Sequence, residues 1–296
     1  MKNTGPRLNY SAIVDRPPLR WPGGARVALW VVPNYEHYEY LPRAGQKRDA
    51  WPRTPHPDVL NYSLRDYGNR VGAWRLFDLL DHHGIRGTTS FNVACFEHYP
   101  QVLEACLQRN WDYMCHGVYN TRYHYGMSEE EERAEIRDCV DSFRRLTGRK
   151  LAGWLSPALS NTLSTPDLLA EAGIKYYCDW VHDEQPAPMR VRDGRLITIP
   201  YSVDLNDAPV QLAGHEGDEF ERMIRDAFDV IYADSTPDAG RVLCIAIHPY
   251  ISGQPHWISH LDRALAHIGK HAGVWKATGE EIADAWIAQL GGADAR

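Results

Sequence analysis

Four short apolar runs in this chain each lead to a residue that can carry chemistry. Leu29-Trp30-Val31-Val32 leads to Asn34 and Glu36, and Tyr113-Met114-Cys115 to His116. Lys175-Tyr176-Tyr177-Cys178 leads to Asp179, and the run from Val242 to Ile247 to His248. Imidazoles titrate near neutral pH and suit proton transfer. His248 ends the most apolar run, and His116 is followed by Gly117, which lets backbone approach a ligand closely. Either imidazole could instead be a core group bonded to backbone; two of them at equivalent positions favour chemistry. Glu36 could act as a base or hold a metal, or be a loop carboxylate like the nearby Glu39. Asn34 can only hydrogen-bond.

Such residues meet only if the runs are strands that end together. Alternating strands and helices in a parallel barrel bring the C-terminal strand ends to one mouth. The pattern predicts about seven β/α units with irregular insertions. Strands are expected at 26–32, 87–92, 112–116, near Gly153-Trp154, and at 175–179, 242–247 and 274–276. Helices are expected at 71–83, 100–110, 128–146, from Thr165-Pro166 to Gly173, and at 218–232 and 258–271. A last helix is capped by Thr278 and Glu281. Ser128 and Glu131 form a capping-box signature, and Arg192-Asp193-Gly194-Arg195 marks a hairpin. Residues 1–25 read as an extension that wraps the barrel. The connection from Pro33 to about Asn69, which holds Pro33, Pro42, Pro52, Pro55 and Pro57, is long enough to form a lid or a subunit contact.

Further positions earn attention only because they follow strands: Arg122, Trp154, Ser156, Trp180, Asn206 and Asp207. Their expected role is to orient a substrate. For a metal, Glu36 and His116 are the first candidates. The position four residues after His116 is Asn120, a poor zinc ligand, so His124 would have to fold back to complete the shell.

Composition narrows the class. The chain has 296 residues, 44% hydrophobic content, 10 Trp and 16 Tyr, enough for one domain with a large core and aromatics to spare for a pocket. A net charge of −7 without basic runs argues against nucleic acid as a partner. The amino-terminal residues have no apolar export core, and no stretch approaches a membrane span, so a cytoplasmic protein with no membrane partner is expected. Six cysteines without C-x-x-C spacing read as small core hydrophobes. Strand alternation would point Cys115 and Cys178 toward the helical layer. No phosphate loop, dinucleotide fingerprint or nucleophile elbow occurs, so no nucleotide cofactor is expected.

These residues resemble the polysaccharide deacetylase superfamily, carbohydrate esterase family 4, in its branch of allantoinases and cyclic imide hydrolases. The features that carry the resemblance are Asn34-Tyr35-Glu36, the Tyr67-Gly68-x-Arg70-x-Gly72-x-Trp74-Arg75 segment, His116-Gly117, Gly153-Trp154, Pro200-Tyr201-x-x-Asp204-x-Asn206-Asp207, Phe228-Asp229-x-x-Tyr232 and His248-Pro249. It implies a distorted (β/α)7-type barrel. Sugar deacetylases of the superfamily carry an aspartate pair after the first strand and a His-x-x-x-His pair. This chain has Asn34 and Glu36, and His116 and Asn120, in those places, a departure that looks like the cyclic-amide branch.

The expected activity is therefore hydrolysis of a C–N bond in a cyclic amide, imide or ureide, with a metal-dependent N-deacetylase of an acetylated sugar or related amide as the alternative. A barrel that binds without turnover is the non-enzymatic alternative. Glu36, or a water on a metal, would activate the nucleophile, His116 and nearby donors would polarise the carbonyl, and His248 would serve the departing nitrogen. Asn34, Arg122, Trp154, Asp179, Trp180 and Asn206 are expected to hold the small-molecule substrate. Either no cofactor or a weakly held zinc-like ion is expected. The resemblance also implies a homo-oligomer, with a tetramer among the candidates.

Overall fold

The computed structural model describes residues 7–42 and 57–290. A curled sheet forms its centre, its strands ordered β6-β7-β5-β4-β3-β2-β1-β8, with β9 beside the start of β1. The strands are β1 (Val27–Tyr35), β2 (Thr88–Phe91), β3 (Asp112–Cys115), β4 (Gly153–Trp154), β5 (Tyr176–Tyr177), β6 (Ala187–Met189), β7 (Leu196–Thr198), β8 (Arg241–Ile247) and β9 (Val274–Lys276). All pairings are parallel except the β6–β7 hairpin, which sits where the Asp-Gly turn predicts it.

The edge strands β6 and β8 do not pair with each other. Irregular segments span the opening: the Val242 N–H donates to the Glu184 carbonyl at 2.8 Å, and Ala246 N–H to that of Leu205 at 2.9 Å. The result is a distorted α/β barrel. Residues alternate between an inner cluster, with Ala28, Trp30, Val32, Met114, Val242 and Ala246, and an outer one beneath the helices, with Val27, Leu29, Val31, Leu243 and Ile245.

The helices are α1 (Val59–Tyr67), α2 (Ala73–His82), α3 (Val93–His98), α4 (Pro100–Gln108), α5 (Glu129–Thr147), α6 (Thr165–Glu171), α7 (Asp207–Leu212), α8 (Gly217–Asp234), α9 (Ile258–Ile268) and α10 (Gly279–Leu290). The first helix starts twelve residues earlier than its apolar spacing suggests. Asp58 caps α1 by accepting from the Asn61 N–H, and a π turn over Gly68–Gly72 joins α1 to α2. The extra residue per turn of a π segment breaks the 3.6-residue pattern, which is why the spacing missed it. Close packing fixes both glycines: a Cβ on Gly72 would lie 1.9 Å from the Pro249 carbonyl oxygen, and one on Gly68 2.7 Å from the Tyr250 amide nitrogen. Thus the π turn lies against the segment that follows His248.

The long helix α5 begins with the expected capping box between Ser128 and Glu131. Thr278 and Glu281 exchange the same pair of bonds at the start of α10. Residues 7–25 are tied to the barrel by Arg7 to Asp167 at 2.7 Å and by Arg16 to Asp183 at 2.7 Å, and Leu19, Trp21 and Ala25 of this stretch are buried in the inner cluster. The middle of the proline-rich connection, 43–56, and its expected subunit contacts lie outside the described residues. Among the described residues, no helix is long and apolar enough to cross a membrane.

Candidate active site

Strand parity decides which side chains meet. Ala28, Trp30 and Val32 face the interior, and alternation continues this side to Asn34 and then Glu36 just past the strand end. The same count carries Met114 to His116, and Ala246 to His248. The Nε2 of His248 lies 3.5 Å from Glu36 Oε1, and that of His116 lies 4.0 Å from the same oxygen. All three side chains are buried.

Each imidazole is held by its other nitrogen. His248 Nδ1 donates to Asp207 Oδ1 at 2.6 Å, while the His248 backbone N–H and the Ser252 hydroxyl donate to Asp207 Oδ2 at 2.7 and 2.6 Å. Asp207 opens α7, and Asn206 caps that helix by accepting from the Ala208 N–H. Burial is the largest influence on His248 and pushes its pKa down. The charge and hydrogen bond of Asp207, then the hydrogen bond and charge of Glu36, together outweigh it and raise the value to about 9. His116 Nδ1 faces the Leu155 carbonyl at 2.8 Å. A carbonyl only accepts, so Nδ1 carries a proton, and in the neutral ring Nε2 holds the lone pair.

Glu36 has its own supports. The Tyr250 hydroxyl donates to its Oε2 at 3.3 Å, and Arg65 Nε lies 3.6 Å from that oxygen. The Arg65 guanidinium is placed 3.9 Å from the Tyr38 ring centre and 4.3 Å from that of Tyr250, a cation–π arrangement that holds its charge beside the carboxylate. Asn69 donates to the Glu36 carbonyl at 3.0 Å. Asn92 accepts from the His37 N–H at 2.9 Å and donates to the His116 carbonyl at 2.5 Å, tying the ends of β1 and β3 together.

Arg65, Tyr250, Asn69 and Asn92 escaped the sequence reading. Arg65 and Asn69 sit in the helical stretch that the π turn disguised. Tyr250 lies two residues past His248, beyond the His248-Pro249 pair that the sequence singles out. Asn92 offered no signal beyond ending a strand.

The substrate-binding candidates divide. Asn34 faces inward but is buried below the mouth, where its amide donates to Tyr201 at 3.2 Å and to the Val32 carbonyl at 3.1 Å. Asn206 donates to the same Tyr201 hydroxyl at 3.4 Å. These two build the floor under the mouth.

Trp154 does not join the group. Its ring is wholly buried in the outer cluster, with Nε1 donating to Ser156 at 3.2 Å. Asp179 does not join it either. Tyr177 faces outward and Cys178 inward, so parity turns Asp179 to the side of Tyr177, whose hydroxyl donates to it at 2.6 Å alongside the Ser156 N–H at 2.8 Å. The expectation that Cys178 faces the helices is corrected by the same count, whereas Cys115 does lie in the outer cluster. Trp180 packs part-buried against that outer cluster. Arg122 pairs with Glu39 at 2.9 Å and stacks on Tyr119, 4.3 Å from its ring centre.

His124 does not fold back to the mouth. It is fully buried between Glu132, 3.6 Å from Nδ1, and Glu135, 3.5 Å from Nε2, both on α5. Asn120 donates to the Tyr38 hydroxyl at 3.2 Å. These placements bear on a metal. Glu36 and His116 offer one carboxylate and one imidazole. His248 is held as a positive partner of Asp207 and Glu36, Arg65 already places a cation against Glu36, and neither His124 nor Asn120 supplies a third ligand. Among the described residues a third ligand would have to be His248, whose Nε2 would give up the proton that Asp207 and Glu36 stabilise, so this donor set does not fit a tightly held zinc.

What the mouth can do is move protons between a carboxylate and an Asp-held imidazolium within a few ångströms. Beside it a cavity of about 510 Å3 is lined by His37, Glu39, Tyr62, His98, Tyr99 and Tyr119, among others. Burial and the stacked His98 ring, 4.3 Å away, lower the His37 pKa to about 4, so His37 itself is neutral at physiological pH.

Comparison with known proteins agrees with this architecture. The solved structure of PuuE allantoinase superposes with a TM-score of 0.82 at 27% identity, covering 95% of this chain and 99% of that one. A Schizosaccharomyces pombe protein provisionally named a polysaccharide deacetylase is 27% identical over 313 residues, which is 95% of this chain and 96% of its own. The peptidoglycan deacetylase of Helicobacter pylori is 23% identical over 264 residues, covering 78% of this chain and 88% of its own. Residues 59–177 match the polysaccharide deacetylase family model.

Proposed function

We propose that this protein is a hydrolase that opens the C–N bond of a cyclic amide, imide or ureide. The observation that carries the reading is the placement of Glu36 between the Nε2 atoms of His248 and His116, with His248 raised to about 9 by Asp207 and Glu36. The likeness to PuuE allantoinase over nearly all of both chains supports a small ring as substrate.

In this reading Glu36 is the general base. A water held between its carboxylate and the lone pair of His116 loses a proton to Glu36 as its oxygen attacks the ring carbonyl. The positive His248 polarises that carbonyl electrostatically and gives its Nε2 proton to the ring nitrogen as the C–N bond breaks. The proton on Glu36 then returns to His248 across the 3.5 Å between them, which restores both groups. An imide or ureide nitrogen leaves readily because its anion is delocalised. His116 thus serves the water and not the carbonyl, since its Nδ1 proton is committed to Leu155. Asn34 and Asn206 support the site from below, and Arg122 shapes its rim through Glu39 and Tyr119.

The experiment is steady-state kinetics on hydantoin, succinimide, dihydrouracil and allantoin with His248→Ala. The reading expects turnover to fall roughly 10²- to 10⁴-fold with a smaller change in KM. Near-normal turnover would remove the proton donor from the scheme.

A second reading, deacetylation of an N-acetylated sugar, draws on the names of the Schizosaccharomyces pombe and Helicobacter pylori relatives. The proton held on His248 by Asp207 and Glu36, and the Arg65 charge against Glu36, disfavour a metal at the mouth and with it this reading.

A further inference from the structure

Asp229, His267 and His271 gather at the end of the barrel opposite the mouth. The turn holding His271 leads into β9, and Val274 of that strand lies beside Val27 at the start of β1. His267 lies in the last turn of α9 and His271 follows four residues later, a spacing that places two side chains on one side of a helix and its continuing turn. Asp229 reaches across from α8.

We propose that these three side chains bind a first-row divalent cation of the zinc class. One carboxylate oxygen of Asp229 and one ring nitrogen from each histidine all lie within 4.8 Å of one another. Ligands about 2.0 to 2.2 Å from a shared tetrahedral ion require only a modest contraction of that group. Asp229 Oδ1 and His267 Nε2 meet at 2.7 Å as a hydrogen bond, which would give up its proton and open to about 3.3 Å as both atoms took the ion.

The surroundings suit the role. His271 Nδ1 contacts the His267 carbonyl oxygen at 3.1 Å, which places the proton on Nδ1 and the lone pair on Nε2. Metal-binding imidazoles are commonly fixed by such a bond to backbone. The Phe228 and Tyr232 rings lie 4.9 and 5.1 Å from the His271 ring and limit its rotation. Two imidazoles with one carboxylate select zinc, copper or nickel over calcium or magnesium, which prefer oxygen shells. Bound there, the ion would staple α8 to the turn before β9, far from the mouth. A second group, His82, His83 and Asp262, is less suited because its two histidines are adjacent on a helix and do not share a face.

The test is equilibrium dialysis of the full chain with Zn2+, together with thermal unfolding with and without the ion, comparing wild type with H267A/H271A. An ion that binds only the folded state raises the unfolding midpoint. We expect the double variant to bind one zinc fewer per chain, to lose a zinc-dependent rise in midpoint, and to keep its hydrolytic activity. Equal stoichiometry and an equal midpoint shift in the two proteins would overturn the proposal. Should the double variant fail to fold, His271→Gln is measured in the same way, and an unchanged zinc count there overturns it equally.

Discussion

His248 faces two carboxylates at once: its Nδ1 lies 2.6 Å from Asp207, and its Nε2 3.5 Å from Glu36. The first contact fixes the ring and the second aims its proton. Because both partners favour the charged form, the pKa of the ring rises to about 9 despite burial.

The sign of this shift gives a pH prediction. A folded-state pKa raised from about 6.5 to about 9 contributes stability that is fully present below about 6.5 and is lost as pH rises through about 9. Turnover that needs the imidazolium should likewise fall above about pH 9. Asp207→Asn removes the largest upward influence and leaves burial acting, so the alkaline limb of the kcat profile should move to lower pH. A limb that stays in place would detach Asp207 from the acid.

Arg65 is expected to hold the Glu36 carboxylate in place through charge and through its seat between Tyr38 and Tyr250. Arg65→Gln should lower kcat roughly 10- to 100-fold, since small displacements of a reacting group carry costs of that order. Arg65→Lys should recover only part of the loss, because a lysine lacks the planar face that stacks on tyrosine. Full activity in Arg65→Gln would show that Tyr250 alone suffices.

Metal removal should leave turnover intact. Extended dialysis against a chelator is predicted not to change kcat on the preferred ring substrate, because His248 is held protonated between Asp207 and Glu36 and Arg65 already sets a cation against Glu36. Activity that is abolished by chelation and restored by zinc would show that the ligand set at Glu36 and His116 is larger than the one described.

A stability prediction comes from the start of α5. Ser128 accepts from the Glu131 N–H at 3.2 Å, and Glu131 accepts from the Ser128 N–H at 2.8 Å. Ser128→Ala should destabilise the protein by about 1 kcal/mol, read as a lower midpoint in chemical denaturation with unchanged kcat.

Much of this architecture was legible in sequence because strand periodicity is a local property. The inward placement of Glu36, His116 and His248 follows from counting along β1, β3 and β8. Asp179 shows where counting needs a known frame: β5 is only two residues long, and the apolar run around it does not reveal which residue faces in. Trp154 failed for the same reason on the equally short β4. Arg65 and Asn69 were hidden because the π turn between α1 and α2 removes the spacing that announces a helix. The pairing of Asp207 with His248 joins residues 41 apart, and nothing local signals such a contact.

The central claim is ring opening at the Glu36–His248 pair, and one measurement tests it most directly. Purified protein is assayed side by side on five- and six-membered cyclic imides and ureides and on N-acetylglucosamine oligomers, with Glu36→Gln as the matched control. The account predicts release of the ring-opened acid from at least one cyclic substrate, its loss in Glu36→Gln, and no acetate from the sugars. Acetate release from the acetylated sugars, with every ring left intact, would contradict it.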